Sequence, residues 1–487
     1  MYRTVGQLDL LTLVLAIVFP EACTRIRLPN DSIKGRPIYA VRLGAGGGSK
    51  RGILIVGGTH SEELMNPDAI IELLFGMVLS YVQGTDIVLG NRRWEAAEIR
   101  LMIDVLDIWT VPCANPDGRD FVMTEDDLWR KNRRTNPGID CKGVDLNRNC
   151  EILWGVVQDS HTSCDACNMA YVGSGAFSEP ETRNIKHLLD TQRIDTFVDV
   201  HSYSELVLYP WGHAPTQTTD PDAQRFTGLP TGTCAPIGRP GYQEYMTPRD
   251  EFRFQTVAGR IVDAIADVRG RRYTPEPGRD LYATTGTSKD YAYSRHIANS
   301  ALRKTYGFTF ETGPFTGDLG ESFHPKDPTL IKQDAKSGIL ALIQQTICAI
   351  EFIGVTFLGR TREADALGAV RDDILMTTEP GRGWISLLER VEHRVLAVVL
   401  ADEALTREAT ILLERAGALL ENEGAVLDEE IVKRGLVFLD ALVARAPMGM
   451  REDLERVRPQ LEQAAGSSAR VIVERLMRVG PQTTTKG

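Results

Sequence analysis

The sequence predicts an α/β layered fold through about residue 352, followed by an all-α segment. Three observations carry this. Apolar runs of strand length, such as Ile53-Leu54-Ile55-Val56 and Val105 to Val111, alternate with helical patterns over Ala69 to Val82, Glu179 to Leu189 and Phe252 to Val268. Gly57-Gly58 marks the turn that ends the first of those runs. After about residue 360 aromatic residues thin out, and Leu, Ala, Glu, Arg and Val recur at helical spacing.

At 487 residues the chain exceeds one ordinary domain. The division expected is 1–355 for the α/β part and 360–487 for the helical part. A hydrophobic content of 43% with 25% charged residues is that of an ordinary globular protein. The net charge of -11 argues against nucleic acid or an anionic membrane as partner. No apolar run reaches the length that spans a bilayer.

His60 and Glu63, three apart, follow directly on the strand at 53–56, so both side chains can reach one ion from the lip of a sheet. A second apolar stretch, Thr196-Phe197-Val198-Asp199-Val200, delivers His201 in the same way. Two imidazoles and one carboxylate form a set that holds a catalytic zinc and leaves a fourth position open. One Zn2+ per chain is therefore the expected cofactor.

These residues sit within an ordered series. His60-Ser61-Glu62-Glu63, Asn115-Pro116-Asp117-Gly118, Trp129-Arg130-Lys131 and Gly143-Val144-Asp145-Leu146-Asn147-Arg148-Asn149 come first. Phe177-Ser178-Glu179-Pro180-Glu181-Thr182, His201-Ser202-Tyr203-Ser204, Tyr282 to Asp290 and Phe308-Thr309-Phe310-Glu311 follow. In content and order the series resembles the zinc carboxypeptidases of the carboxypeptidase A type. The resemblance implies a mixed central sheet with helices on both faces and the site at one end of the central strands. It also implies that segments 117–180 and 205–250 are long surface loops walling the site, and that Leu330 to Phe352 is the closing helix.

The resemblance further implies roles. Glu311 matches the general base that takes a proton from the attacking water and returns it to the leaving amine. Arg130 matches the residue that stabilises the oxyanion, and Asp145 is a candidate to orient one ligand histidine through its other ring nitrogen. Asn147 and Arg148 suit capture of a free terminal carboxylate, Tyr282 matches the tyrosine that closes over the bound C-terminal residue, and Tyr203 falls among the substrate-binding residues. The substrate expected is therefore the C-terminus of a peptide or protein.

Two departures stand out. Lys289 occupies the position at the floor of the pocket for the departing side chain, where relatives carry an apolar or acidic residue. A lysine there points to preference for a terminal Glu or Asp, unless it swings to solvent or pairs internally with Asp290, Asp280 or Glu276. Glu62 stands where a common pattern has arginine, which puts the binding of residues before the scissile bond in doubt. Rival readings are an amidase acting on cell-wall peptides or acyl-amino acids, and a silent binding or scaffold protein.

Of the eight cysteines, Cys141, Cys150, Cys164 and Cys167 cluster in one loop region. The family often has a disulfide near Cys141 and Cys167, but Cys164-x-x-Cys167 could instead hold a structural zinc. Cys23, Cys113, Cys234 and Cys348 read as ordinary buried thiols. Leu8 to Phe19 imitates the apolar core of a secretory leader, yet Asp9 interrupts it and the resemblance assigns Leu8 to Cys23 to the first helix of the catalytic domain. A cytoplasmic enzyme is expected, with secretion the alternative.

In the helical part, Leu387-Leu388-Val391-Leu396 and Leu412-Leu413-Leu419-Leu420 place apolar stripes on one face. Pro380-Gly381-Arg382-Gly383 and Pro447-Met448-Gly449 punctuate the helices. Self-association, partner docking or a substrate-covering role are the functions open to it. Thr483-Thr484-Thr485-Lys486-Gly487 is expected to be disordered.

Overall fold

The computed structural model describes residues 2–44, 50–157, 161–214, 217–218, 226, 231–236, 242–359, 361–422 and 424–481. The C-terminal Thr483–Gly487 lies outside them. Two compact units are present, Met1–Thr346 and Ile347–Gly487.

The first unit is built on eight strands: β1 (Cys23–Arg27), β2 (Tyr39–Leu43), β3 (Arg51–Gly57), β4 (Leu106–Val111), β5 (Ile194–His201), β6 (Leu206–Tyr209), β7 (Thr274–Pro277) and β8 (Tyr306–Glu311). They lie in the order β1-β2-β4-β3-β5-β8-β6-β7. The centre, β4-β3-β5-β8, is parallel; β1 pairs antiparallel with β2, β2 with β4 and β6 with β8, while the outermost β7 runs parallel to β6. The sheet is mixed, as expected. Every residue of β4 and β5 is buried, as strands covered by helices on both faces require.

Register places the site. Gly57 pairs with Val200, and His201 pairs with Glu311, so β3, β5 and β8 end side by side at their carboxyl ends. Ligands of open parallel sheets bind at that edge, where the loops that follow the strands converge. Gly58, at φ 64, turns the chain out of β3 with Pro67 and Cys113 close against it.

Some expectations need correction. Pro116–Thr124, expected within a loop, is a helix: Asn115 caps it by accepting from the Gly118 N–H at 2.9 Å, and Pro116 suits its first position. Leu206–Tyr209, expected in the second loop, is a buried strand of the main sheet. The closing helix runs Thr329–Thr346 and ends there; a separate short helix, Ala349–Ile353, belongs to the second unit. Helix Met65–Gln83 is long and apolar enough to cross a bilayer by composition, yet most of it is buried in the unit, as in a core helix.

Cys141 is bonded to Cys167, and Cys164 to Cys234. The second bond overturns both the reading of Cys234 as a free buried thiol and the structural zinc on Cys164 and Cys167. Both sulfurs of that pair are already committed. Cys23, Cys113, Cys150 and Cys348 take part in no disulfide among the described residues.

The second unit is all helical, as expected, with amphipathic helices at Glu379–Leu400, Glu403–Glu421 and Glu429–Arg445. Leu387, Val391, Leu396, Leu405, Leu413, Leu439 and Leu442 are buried along them.

Candidate active site

The end of β3, the end of β5 and the loop between them converge on one point. Nδ1 of His60 and Nδ1 of His201 face each other at 2.9 Å, and the Glu63 carboxylate stands 2.8 Å from the first and 3.0 Å from the second. All three residues are buried, and one ligand atom from each lies within 4.8 Å of the others. Burial alone would raise the Glu63 pKa, but His201 and then His60 bring it down to about 2. Two inward lone pairs and a carboxylate fit a single zinc ion.

Each imidazole is held from behind. His60 Nε2 is 3.1 Å from Asp145 Oδ1, and His201 Nε2 is 3.1 Å from Asp199 Oδ2. The first contact was expected, the second was not. Asp199 lies two residues before His201, on the same side of β5. It also accepts from the hydroxyls of Thr59 and Ser288, each at 2.8 Å. The available signal was an acid embedded in the otherwise apolar run Thr196–Val200.

Asp145 binds on two sides. Its Oδ1 also accepts from the Asn147 N–H at 2.9 Å, and its Oδ2 accepts from Arg130 Nε at 3.0 Å. Burial would raise its pKa, yet Arg130 and then His60 hold it well below the usual carboxylate range. Arg130 thus hangs on the same carboxylate that holds the His60 imidazole. Glu62 flanks it from the other side at 3.6 Å, and burial raises the Glu62 pKa well above normal.

Glu311 pairs in register with His201 across β5 and β8. Although part of its surface stays open, burial of the rest pushes its carboxyl up to about 8; His201 opposes that rise and Glu63 adds to it. A cation held by the three ligands adds positive charge beside it and lowers that value.

The residues of this site match a known pattern as a set. The family model described as zinc carboxypeptidase matches residues 14–337. The chain belongs to that family. Carboxypeptidase A4 of Mus musculus is 28% identical over 300 residues, covering 61% of this chain and 59% of that protein. Carboxypeptidase B of Astacus astacus is 31% identical over 304 residues, covering 60% of this chain and 84% of the relative. The chain thus spans about three fifths of the mouse protein's length. Among solved structures, bovine thrombin-activatable fibrinolysis inhibitor in complex with tick carboxypeptidase inhibitor matches with a TM-score of 0.55 at 22% identity, over 71% of this chain and 97% of that one. That likeness concerns the fold.

The remaining expected residues of this zinc carboxypeptidase family member gather on the same side. Asn147 accepts from the Ser288 N–H at 2.9 Å and is 3.5 Å from His201 Nε2 through its Nδ2. Arg148 is buried; its Nε donates to the His161 carbonyl at 2.5 Å and its Nη1 to the Asn147 carbonyl at 2.8 Å. Tyr282 caps the short helix Gly278–Leu281, and its phenol is near enough to Arg130 and Tyr203 to act on the charge of both. Tyr203 stacks on Phe315 with ring centroids 5.4 Å apart.

Lys289 is buried, and among the described residues its ion pair is with Asp290, at 2.8 Å. That is one of the internal partners weighed from the sequence. Its ammonium occupies space that side chains at Gly212 and Gly278 would need: a Cβ there would lie 3.0 and 2.6 Å from Nζ. Asp290 is held in turn by the Gly212 N–H at 2.9 Å, with the His213–Glu244 pair just beyond.

Proposed function

We propose that this chain is a zinc-dependent metallocarboxypeptidase that hydrolyses the last peptide bond of peptides or protein tails. The observation that carries it is the convergence of His60, Glu63 and His201 on one point, with Glu311 in register on the adjacent strand. Zinc at that point supplies a Lewis acid and makes water acidic enough to be deprotonated near neutral pH. Glu311 is placed to accept the proton of the attacking water and to hand it to the departing amine. Arg130, steadied by Asp145, is the donor for the developing oxyanion; losing one such donor costs roughly 10²- to 10³-fold in turnover. Asn147, Arg148 and Tyr282 hold the terminal carboxylate, with Tyr203 beside Tyr282. The Nη2 of Arg148 makes no hydrogen bond among the described residues, so it remains available for a charge-assisted bond.

The reading extends to specificity for a terminal Glu or Asp through Lys289. An ammonium has three donors, and one is spent on Asp290. Asp290 shares its own charge with the Gly212 N–H, which leaves Lys289 able to bind a second carboxylate. An apolar side chain beside it would leave those buried donors unpaired. Two disulfides support an oxidising compartment, the secreted alternative, over a cytoplasmic one.

The test is release of single residues from matched peptides ending in Glu, Asp, Phe, Leu, Lys or Arg. Faster release of Glu and Asp supports both parts. Equal or faster release of Phe or Leu keeps the carboxypeptidase and overturns the role given to Lys289.

A further inference from the structure

We propose that His161 is a positioning residue that pre-sets the carboxylate-binding end of the site, its ring carrying Tyr282 while its backbone carries Arg148. This rests on the reading of Arg148 and Tyr282 as the groups that hold the terminal carboxylate. The imidazole of His161 lies flat on the phenol ring of Tyr282, with centroids 4.1 Å apart and planes 10° from parallel. The carbonyl of the same residue accepts from Arg148 Nε at 2.5 Å. One residue thus touches two substrate-binding side chains by independent contacts, and neither its place in the chain nor the family pattern assigns it a role.

The loop that carries His161 is itself anchored. Thr285 donates through its N–H to Thr162 Oγ1 at 3.2 Å and through its hydroxyl to the Val156 carbonyl at 2.7 Å. The Cys150 N–H donates to the Gly286 carbonyl at 3.0 Å, and Gly286 N–H to the Ile152 carbonyl at 2.8 Å. Cys164, three residues after His161, is bonded to Cys234. Two loops are therefore laced together, and the His161–Tyr282 stack lies at their edge.

Tyr282 needs such support because it follows a single helical turn, Gly278–Leu281, and would otherwise sample several side-chain orientations. The stack on His161 holds the ring in one orientation before a substrate arrives. Losing the stack frees the ring before binding, so the ordering cost moves to the binding step and appears in KM.

Stacked aromatic pairs contribute enough that their loss corresponds to roughly a 2- to 12-fold change. The experiment compares wild type, His161→Ala and His161→Phe in the full zinc-loaded chain, on one peptide with a free C-terminal carboxylate and on its C-terminal amide. Because the bond to Arg148 comes from the backbone, these variants leave it in place. The expected result is a KM raised about 2- to 12-fold in His161→Ala with kcat retained, and restored by phenylalanine, which stacks without imidazole chemistry. Thermal unfolding of both variants should match wild type. A KM unchanged in His161→Ala, or a phenylalanine variant no better than alanine, would overturn the proposal. If wild type cleaves the amide as well as the acid, the carboxylate-binding reading itself fails, whatever the variants do.

Discussion

Nε2 of His201 stands 3.1 Å from Oδ2 of Asp199, two residues earlier on the same strand. His60 has the corresponding contact with Asp145, so in both imidazoles Nδ1 faces the Glu63 carboxylate while a buried carboxylate holds the other nitrogen. Carboxylates in that position fix the tautomer and raise ligand basicity, and their loss typically costs about 10- to 100-fold in metal affinity. Asp199→Asn should therefore weaken zinc binding by about that factor, measured by competition with a chromophoric chelator. Zinc affinity equal to wild type would show that the strand alone aims His201.

Lys289 and Asp290 form a buried pair, so removing one partner strands the other. Lys289→Met alone should destabilise the protein by about 3 kcal/mol, and the double variant Lys289→Met with Asp290→Asn should recover much of that. In the double variant, release of a terminal Glu should fall about 100-fold or more relative to Leu. Unchanged preference would place the specificity elsewhere.

Glu181 lies outside the ligand cluster and is fully buried, accepting from the Ile33 N–H at 3.0 Å and from Asn132 at 3.2 Å. Burial pushes its carboxyl from 4.5 up to about 7. The folded state then binds this proton more tightly than the unfolded chain. The stability it contributes is fully present below about pH 4.5 and is lost as pH rises to about 7, on the order of 3 kcal/mol in all. Glu181→Gln should flatten that slope in denaturant titrations at pH 5, 6 and 7.5. A slope that persists in the variant would assign it to another group.

The bond between Cys164 and Cys234 closes a loop 70 residues long in sequence, and Cys141–Cys167 one of 26. Loops of these sizes correspond to about 3 to 4 kcal/mol each from restriction of the unfolded chain. Mild reduction, followed by thermal unfolding and substrate titration, should lower the melting temperature and raise KM more than it lowers kcat. Loss of kcat with KM unchanged would contradict the placement of these loops at the substrate end of the site.

Much of this was legible in the sequence, for identifiable reasons. His60 and Glu63 follow an apolar strand and a double glycine and open the ordered series that carries the resemblance; the alternating runs pointed to α/β layers, and the resemblance implied the mixed sheet. Asp199 was hidden because its partner is fixed by the two-residue period of a buried strand, which converts an apparent core oddity into a contact with His201. The Cys164–Cys234 pair depends on which loops the sheet edge brings together, a relation that spacing does not encode. His161 escaped notice because ring stacking across two loops has no local pattern. The closing helix was expected to run on to Phe352 because an apolar pattern continues past Thr346, while the helix itself ends there.

The central claim is that Glu311 serves as base beside a metal held by His60, Glu63 and His201. The most direct measurement follows release of the terminal residue from one peptide by wild type and by Glu311→Gln, with zinc content determined for both. Wild type should release one residue at a time, stop when zinc is chelated and resume when it is restored. Glu311→Gln should keep its zinc and its fold while turnover falls by about 10²- to 10⁴-fold, the span of general base catalysis. Turnover by the zinc-loaded variant at the wild-type rate would contradict the account.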